Sequence, residues 1–206
     1  MKLNARELRE VSEEEIQAKL PPTRRRPIFF ILENIYDTYN VGGLFRLADA
    51  LAIERIYLCG EIEIPPHPRI KKASIGTYKV VPWEYRKSAK EAIEDVKNRH
   101  KEMSFPPKRK SHEKSVGLIK DGIRIIAVEQ SKKAVDYTKA DFTLPLALVF
   151  GNETSGISAE TLVMCQQIAE IPMWGVNKSL NVIVSAAVVG YWIAGLEPGV
   201  GIGPTL

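Results

Sequence analysis

The stretch Ile171-Pro172-Met173-Trp174-Gly175-Val176-Asn177-Lys178-Ser179-Leu180-Asn181 runs directly into Val182 to Trp192, which has almost no polar side chain. A strand end, a polar loop and the start of a buried helix are compressed into one short segment. Loops that join a strand to a helix are where α/β proteins place ligands. Asn177, Ser179 and Asn181 stand against an apolar helix, and polar groups at such a junction need partners, which a ligand can supply. Ser179 reads as the N-cap of that helix. No charged residue occurs from Ser179 to Leu196, but Ser179, Asn181, Ser185, Gly190 and Gly195 interrupt it. Its apolar part is therefore shorter than the roughly 20 residues of a membrane span. A helix buried in a core or in a subunit interface is expected.

Working outward, the runs Ile28 to Leu32, Arg55 to Cys59, Ile123 to Val128, Leu146 to Phe150 and Gln167 to Ile171 read as strands. Helical patterns fall over Val41 to Ala52, Ser88 to His100 and Ser158 to Met164, the last with Ser158 as its cap. Continuous apolar strands alternating with helices argue an α/β class: a mostly parallel sheet with helices on both faces. Ser12 and Glu15 form a capping box, predicting a short helix over 13–20 that Pro21-Pro22 ends. Pro65, Pro66 and Pro68 mark a loop.

The chain has 206 residues, which suits one domain over 28–196 with an N-terminal basic extension, 1–27, and a tail, 197–206. The net charge of +4 is a mild basic excess, compatible with a polyanionic partner. Between Lys97 and Lys114 seven Lys or Arg stand against two Glu, with Pro106-Pro107 in the middle. This predicts an exposed basic insertion over about 97–120. Cys59 and Cys165 give no disulfide framework, and His67, His100 and His112 lack metal-ligand spacing, so no metal is expected. The polar start, Met1 to Leu20, has no apolar signal core, which points to the cytoplasm.

Two further strand ends carry polar groups. After the first strand, Asn40 sits where a helix cap belongs, and Leu44, Leu47, Ala48 and Leu51 make one helical stripe. Gly42, Arg46 and Asp49 make the opposite stripe, so Arg46 points away from the core with room beside it at Gly42. Gly42-Gly43 also lets a phosphate approach the backbone. An exposed arginine paired with Asp49 explains the same pattern. The run Leu148-Val149-Phe150-Gly151-Asn152-Glu153-Thr154-Ser155-Gly156-Ile157-Ser158 takes a strand into a polar loop that Gly151 and Gly156 allow to turn tightly. No G-x-G-x-x-G follows the first strand, and neither a phosphate-binding G-x-x-x-x-G-K-[ST] loop nor a G-x-S-x-G elbow occurs.

Taken together, Asn40-Val41-Gly42…Arg46, Gly151-Asn152-Glu153…Gly156 and Ile171-Pro172-Met173…Ser179-Leu180-Asn181-Val182 resemble, in order and spacing, the three motifs of the SpoU/TrmH family. These are RNA ribose 2′-O-methyltransferases of the SPOUT superfamily. The resemblance covers about residues 27–196. It implies an α/β-knot fold with a C-terminal deep trefoil knot over roughly 145–195, a homodimer, and S-adenosylmethionine as cofactor. By position, Gly151, Ile171, Met173 and Leu180 would contact the cofactor. Asn40, Arg46, Glu153, Ser179 and Asn181 match catalytic positions, with Arg46 as phosphate clamp and orienter or, as the family resemblance also implies, general base, and Glu153 positioning Arg46 or Asn40. The chain departs from the Glu-Gly-x-Gly of many relatives at Glu153-Thr154-Ser155-Gly156. The implied substrate is tRNA or rRNA, gripped by Arg24, Arg25 and Arg26, by Lys71 and Lys72, and by Lys108, Arg109 and Lys110. The alternative is a noncatalytic RNA-binding protein on the same knotted fold.

Overall fold

Each of the five runs read above as strands becomes a strand of one sheet in the computed structural model, which describes residues 2–12, 14–16, 25–102 and 122–196. The strands are β1 (Arg26–Glu33), β2 (Ile53–Cys59), β3 (Trp83–Arg86), β4 (Arg124–Val128), β5 (Val135–Asp136), β6 (Leu146–Phe150) and β7 (Gln167–Glu170). They lie in the order β3-β2-β1-β6-β4-β7-β5, and each neighbouring pair is parallel. Successive side chains alternate between two cores, which is why the runs are apolar throughout rather than alternating. Ile28, Phe30 and Leu32 pack with α2 (Thr38–Ala50), α3 (Pro68–Ser74) and α6 (Val182–Leu196). Phe29 and Ile31 pack on the other face, with α4 (Ala89–Glu102) and the segment around α5 (Ala159–Leu162).

The strand order reverses direction between β1 and β6: β2 and β3 lie to one side, β4, β7 and β5 to the other. In open parallel sheets the carboxyl ends at such a switch form a crevice that no crossover covers.

Several boundaries differ from the sequence expectations. Asp37, not Asn40, caps α2, accepting from the Tyr39 N–H at 2.8 Å, so Asn40 lies inside the first turn and is buried. The last helix begins at Val182, and Asn181 rather than Ser179 accepts its first free N–H, from Ile183 at 2.8 Å. Pro68 does not prolong a loop but opens α3, where a missing N–H costs nothing. Short, polar β3 carried no periodic signal. Gly42 offers no open space, because a Cβ there would lie 2.5 Å from Ala73 Cβ on α3. A Cβ on Gly43 would likewise lie 2.3 Å from Ile183 Cδ1.

Part of the N-terminal extension is docked. Helix α1 (Ala5–Glu10), absent from the sequence reading, is capped by Asn4 and buries Leu8. Lys79 Nζ donates to the carbonyls of Leu8, Arg9 and Val11, placing a cation on the helix C-terminus. The capping box is present, since Ser12 and Glu15 exchange bonds of 3.1 Å and residues 14–16 are helical. The rest of that expected helix, Arg24, Lys108, Arg109, Lys110 and most of the basic insertion lie outside the described residues.

Candidate active site

A cleft of about 300 Å³ opens at the carboxyl ends of β4, β6 and β7. Its walls include Gly151, Ile171, Met173 and Leu180, all four residues expected to hold a cofactor, together with Glu153 and Ser179. Phe150, Ile171, Leu180 and Val182 give it apolar surface, and Asn152, Glu153, Lys178 and Ser185 supply polar groups. Gly151 is required by the turn. A Cβ there would lie 2.3 Å from the Gly156 carbonyl carbon, and Asn152 and Gly156 close the loop with N–H···O bonds of 3.1 and 2.9 Å. The Asn152 side chain holds the same loop from inside, accepting from the Thr154 and Ser155 N–H groups at 2.8 and 3.0 Å.

Beside the cleft, residues from three distant segments form one polar chain. Asn40 Nδ2 donates to Glu153 Oε1 at 2.7 Å, and Asn181 Nδ2 donates to Asn40 Oδ1 at 3.0 Å. The orientation of both amides follows from the ends. The Ile183 N–H can only donate, so Asn181 must present its oxygen there and its amino group to Asn40. Glu153, as a carboxylate, can only accept, so Asn40 must turn its amino group toward it. Glu153 thus holds Asn40.

Arg46 is not in this chain. It is exposed on α2, and no hydrogen bond or ion pair joins it to a described residue, Asp49 included. Of the expected RNA-binding residues, Lys71 and Lys72 are exposed on α3. Arg25 is turned inward: its guanidinium donates to the carbonyls of Ile53 and Val80, and burial lowers its pKa. Those donors face the fold. Arg26 also reaches inward, toward the Leu51 carbonyl at 3.4 Å.

Sequence reasoning missed Glu129 and Gln130, which line the cleft just past β4. Their signal was available, because they follow a recognised strand as the three motif loops do. Glu129 accepts from the Ile157 N–H at 3.0 Å and so braces the motif loop. Buried Glu33 was also missed. It accepts from the hydroxyls of Ser158 and Thr161 at 2.8 and 2.7 Å and fixes the start of α5 to the end of β1. Thiol chemistry is disfavoured, since burial pushes Cys165 up to about 12 and Cys59 upward as well. Among the described residues no group of three His, Cys, Asp or Glu could hold a metal ion, and no helix is long and apolar enough to cross a membrane.

The model of the SpoU rRNA Methylase family matches residues 27–117 and 108–191. The chain belongs to the SpoU rRNA methylase family. SpoU relatives include the tRNA (guanosine(18)-2′-O)-methyltransferase of Escherichia coli K12, 26% identical over 172 residues that cover 82% of this chain and 63% of that protein. The enzyme of the same name from Aquifex aeolicus is 27% identical over 174 residues, 82% of this chain and 69% of that protein. The chain thus spans less than two thirds of the E. coli relative. Among solved structures, the SpoU methyltransferase AviRb from Streptomyces viridochromogenes in complex with AdoMet superposes with a TM-score of 0.68 at 24% identity. That superposition covers 84% of this chain and 61% of that one. A structure described by the 2-OH methylation of C/U34 on tRNA gives 0.65 at 21% identity, covering 82% of this chain and 94% of that one. At these identities the structures establish a shared fold.

Proposed function

We propose that this SpoU-family protein transfers a methyl group from S-adenosylmethionine to a ribose 2′-hydroxyl of structured RNA, tRNA or rRNA. The observation that carries the reading is the cleft at the carboxyl ends of β4, β6 and β7, with Asn40, Glu153 and Asn181 bonded to one another beside it. The cleft fits the cofactor. Gly151 leaves backbone where any side chain would collide, and Ile171, Met173, Leu180 and Val182 offer apolar surface to an adenosyl group. When bound, the cofactor supplies a methyl carbon on a sulfonium for in-line displacement.

The chain's own residues must hold the reacting ribose in line while the hydroxyl gives up its proton and the sulfur leaves as a neutral thioether. Asn40 serves as a fixed positioning group, since two of its polar sites are already committed to Glu153 and Asn181. Ser179, on the cleft wall, orients the ribose. Arg46, exposed and joined to no described residue, offers its guanidinium donors to clamp the phosphate next to the target nucleotide. Lys71 and Lys72 add affinity for the backbone without sequence choice.

The same reading includes a trefoil knot over roughly 145–195, a methyltransferase domain over 28–196 and a cytoplasmic protein. It also includes a homodimer. Val184, Tyr191 and Leu196 are exposed apolar residues on α6, a surface that a second copy would cover. The decisive experiment incubates the protein with methyl-labelled S-adenosylmethionine and total tRNA or rRNA, then maps ribose methylation. Label in a 2′-O-methyl nucleotide is expected. Cofactor binding without label in either RNA overturns the reading in favour of a noncatalytic binder.

A further inference from the structure

Exposed aromatic rings lie outside the cleft, on the β1–β2–β3 side of the sheet. Tyr36 and Tyr39 flank the start of α2 and Tyr85 lies on β3, with exposures of 57%, 49% and 43%. Two of the rings are pinned by their own hydroxyls. Tyr36 donates to Glu61 Oε2 at 3.2 Å, and Tyr85 donates to the Gly60 carbonyl at 3.3 Å. The turn that receives both is locked in place. The Glu61 N–H donates to Asn34 Oδ1 at 2.8 Å, and the Asn34 carbonyl accepts from Asn152 Nδ2 at 2.8 Å. Asn34 sits at φ 54, and a Cβ on Gly60 would lie 2.2 Å from its Oδ1, so the junction is tight. Asn152 lines the cleft. A continuous set of hydrogen bonds therefore ties the rings of Tyr36 and Tyr85 to the cleft wall.

Rings held this way lose little freedom when something stacks on them. The charges nearby identify what that something is. Asp37, Glu61 and Glu63 are exposed on the segments that carry or hold the rings; next to Tyr85, Arg86 is spent on Glu84 and Asp95 and Lys87 is the one exposed cation, while Arg46, Lys71 and Lys72 stand on α2 and α3. Carboxylates repel phosphate, so this patch does not track an RNA backbone. Exposed aromatic rings do take unstacked bases, and they do so without reading sequence. We infer that Tyr36, Tyr39 and Tyr85 form a stacking platform for unpaired bases that neighbour the nucleotide entering the cleft. The inference rests on the RNA-modifying reading of that cleft.

The test is equilibrium binding of fluorescein-labelled unfractionated tRNA to the full chain across a salt series. Tyr36→Ala combined with Tyr85→Ala is expected to weaken binding about tenfold or more. The slope of log affinity against log salt should stay as in the parent, because no phosphate contact is lost. Tyr36→Phe should retain most of the affinity, and titration with S-adenosylmethionine should be unchanged in every variant. Lys71→Glu with Lys72→Glu should instead flatten the salt slope. Should the double tyrosine variant fail to fold, Tyr39→Ala carries the same test. Unchanged tRNA affinity, or a loss that comes with a flatter slope, overturns the platform. If the parent transfers no methyl group yet the tyrosine variants still lose tRNA, the proposed reaction falls and the platform stands. If methyl transfer is normal and the variants bind as the parent does, the platform alone falls.

Discussion

Arg46 and the pair Arg86 and Arg99 stand on opposite faces of the same sheet and in opposite circumstances. Across the sheet from Arg46, Glu84 and Asp95 take all of Arg55, Arg86 and Arg99, and the Tyr57 hydroxyl donates to Asp95 at 2.7 Å. Arg86 also lies over the Tyr57 ring, 5.6 Å from its centroid. Each of these ionic side chains is at most 34% exposed. That network uses its charges on itself and joins β2, β3 and α4. Arg46, exposed and joined to no described residue, keeps its donors for something outside the chain. The contrast separates an arginine that builds the fold from one that the fold presents, and Arg25 belongs with the first kind.

The strongest way to break this comparison is Arg46→Ala. Labelled-methyl transfer should fall at least about 100-fold, the scale of losing one preorganised donor. Unfolding free energy should move by no more than about 0.5 kcal/mol, and cofactor binding should stay near normal in calorimetric titration. Near-parent turnover would sink the clamp role. Gly151→Ala comes next. Its Cβ meets the Gly156 backbone, so the loop must shift, costing about 1–3 kcal/mol of stability. Cofactor affinity should drop roughly tenfold, the equivalent of 1.4 kcal/mol. An unchanged titration curve would show that the loop does not hold the cofactor.

On the other face, Glu84→Ala should cost about 1–3 kcal/mol, since three arginines lose a common partner. That lowers the thermal midpoint by several degrees, at about 2–4 °C per kcal/mol. Methyl transfer per folded molecule should not change, and a matching loss of activity would erase the distinction between the two faces. The smallest effect is with pH. Partial burial pushes the Asp95 carboxyl up, but hydrogen bonds from Tyr57 and Arg99 and the charges of Arg99 and Arg86 outweigh it and hold it below its ordinary 3.8. A carboxyl depressed by folding adds stability above the ordinary value and loses it as pH falls toward the folded one. Denaturant midpoints should therefore fall below about pH 4, and Asp95→Asn should remove part of that fall. A variant curve parallel to the parent's would rule Asp95 out as a contributor.

Much of the site was legible because its loops follow strands that are apolar runs. Leu146–Phe150 is read to the residue, and Gly151, Ile171, Met173 and Leu180 do share one cleft. The errors concern polar residues near helix starts. Asn40 has the chemistry of an N-cap, and local spacing cannot tell a cap from a buried amide one turn further in. The choice of Glu153's partner was open between Arg46 and Asn40, and the helix start decides it, because Asn40 faces inward from the first turn of α2.

The sequence by itself determined the class of the fold, the positions of the strands and the three loops that carry chemistry. Those follow from short-range patterns, where side-chain period and turn residues act over a few positions. Only the tertiary structure decided which polar groups meet. Asn40 binds Glu153 and Asn181, residues 113 and 141 positions away, and Arg25 finds carbonyls on two other segments. Hydrogen bonds act over about 3 Å, so their partners are settled by how strands order themselves in the sheet, which no local pattern encodes.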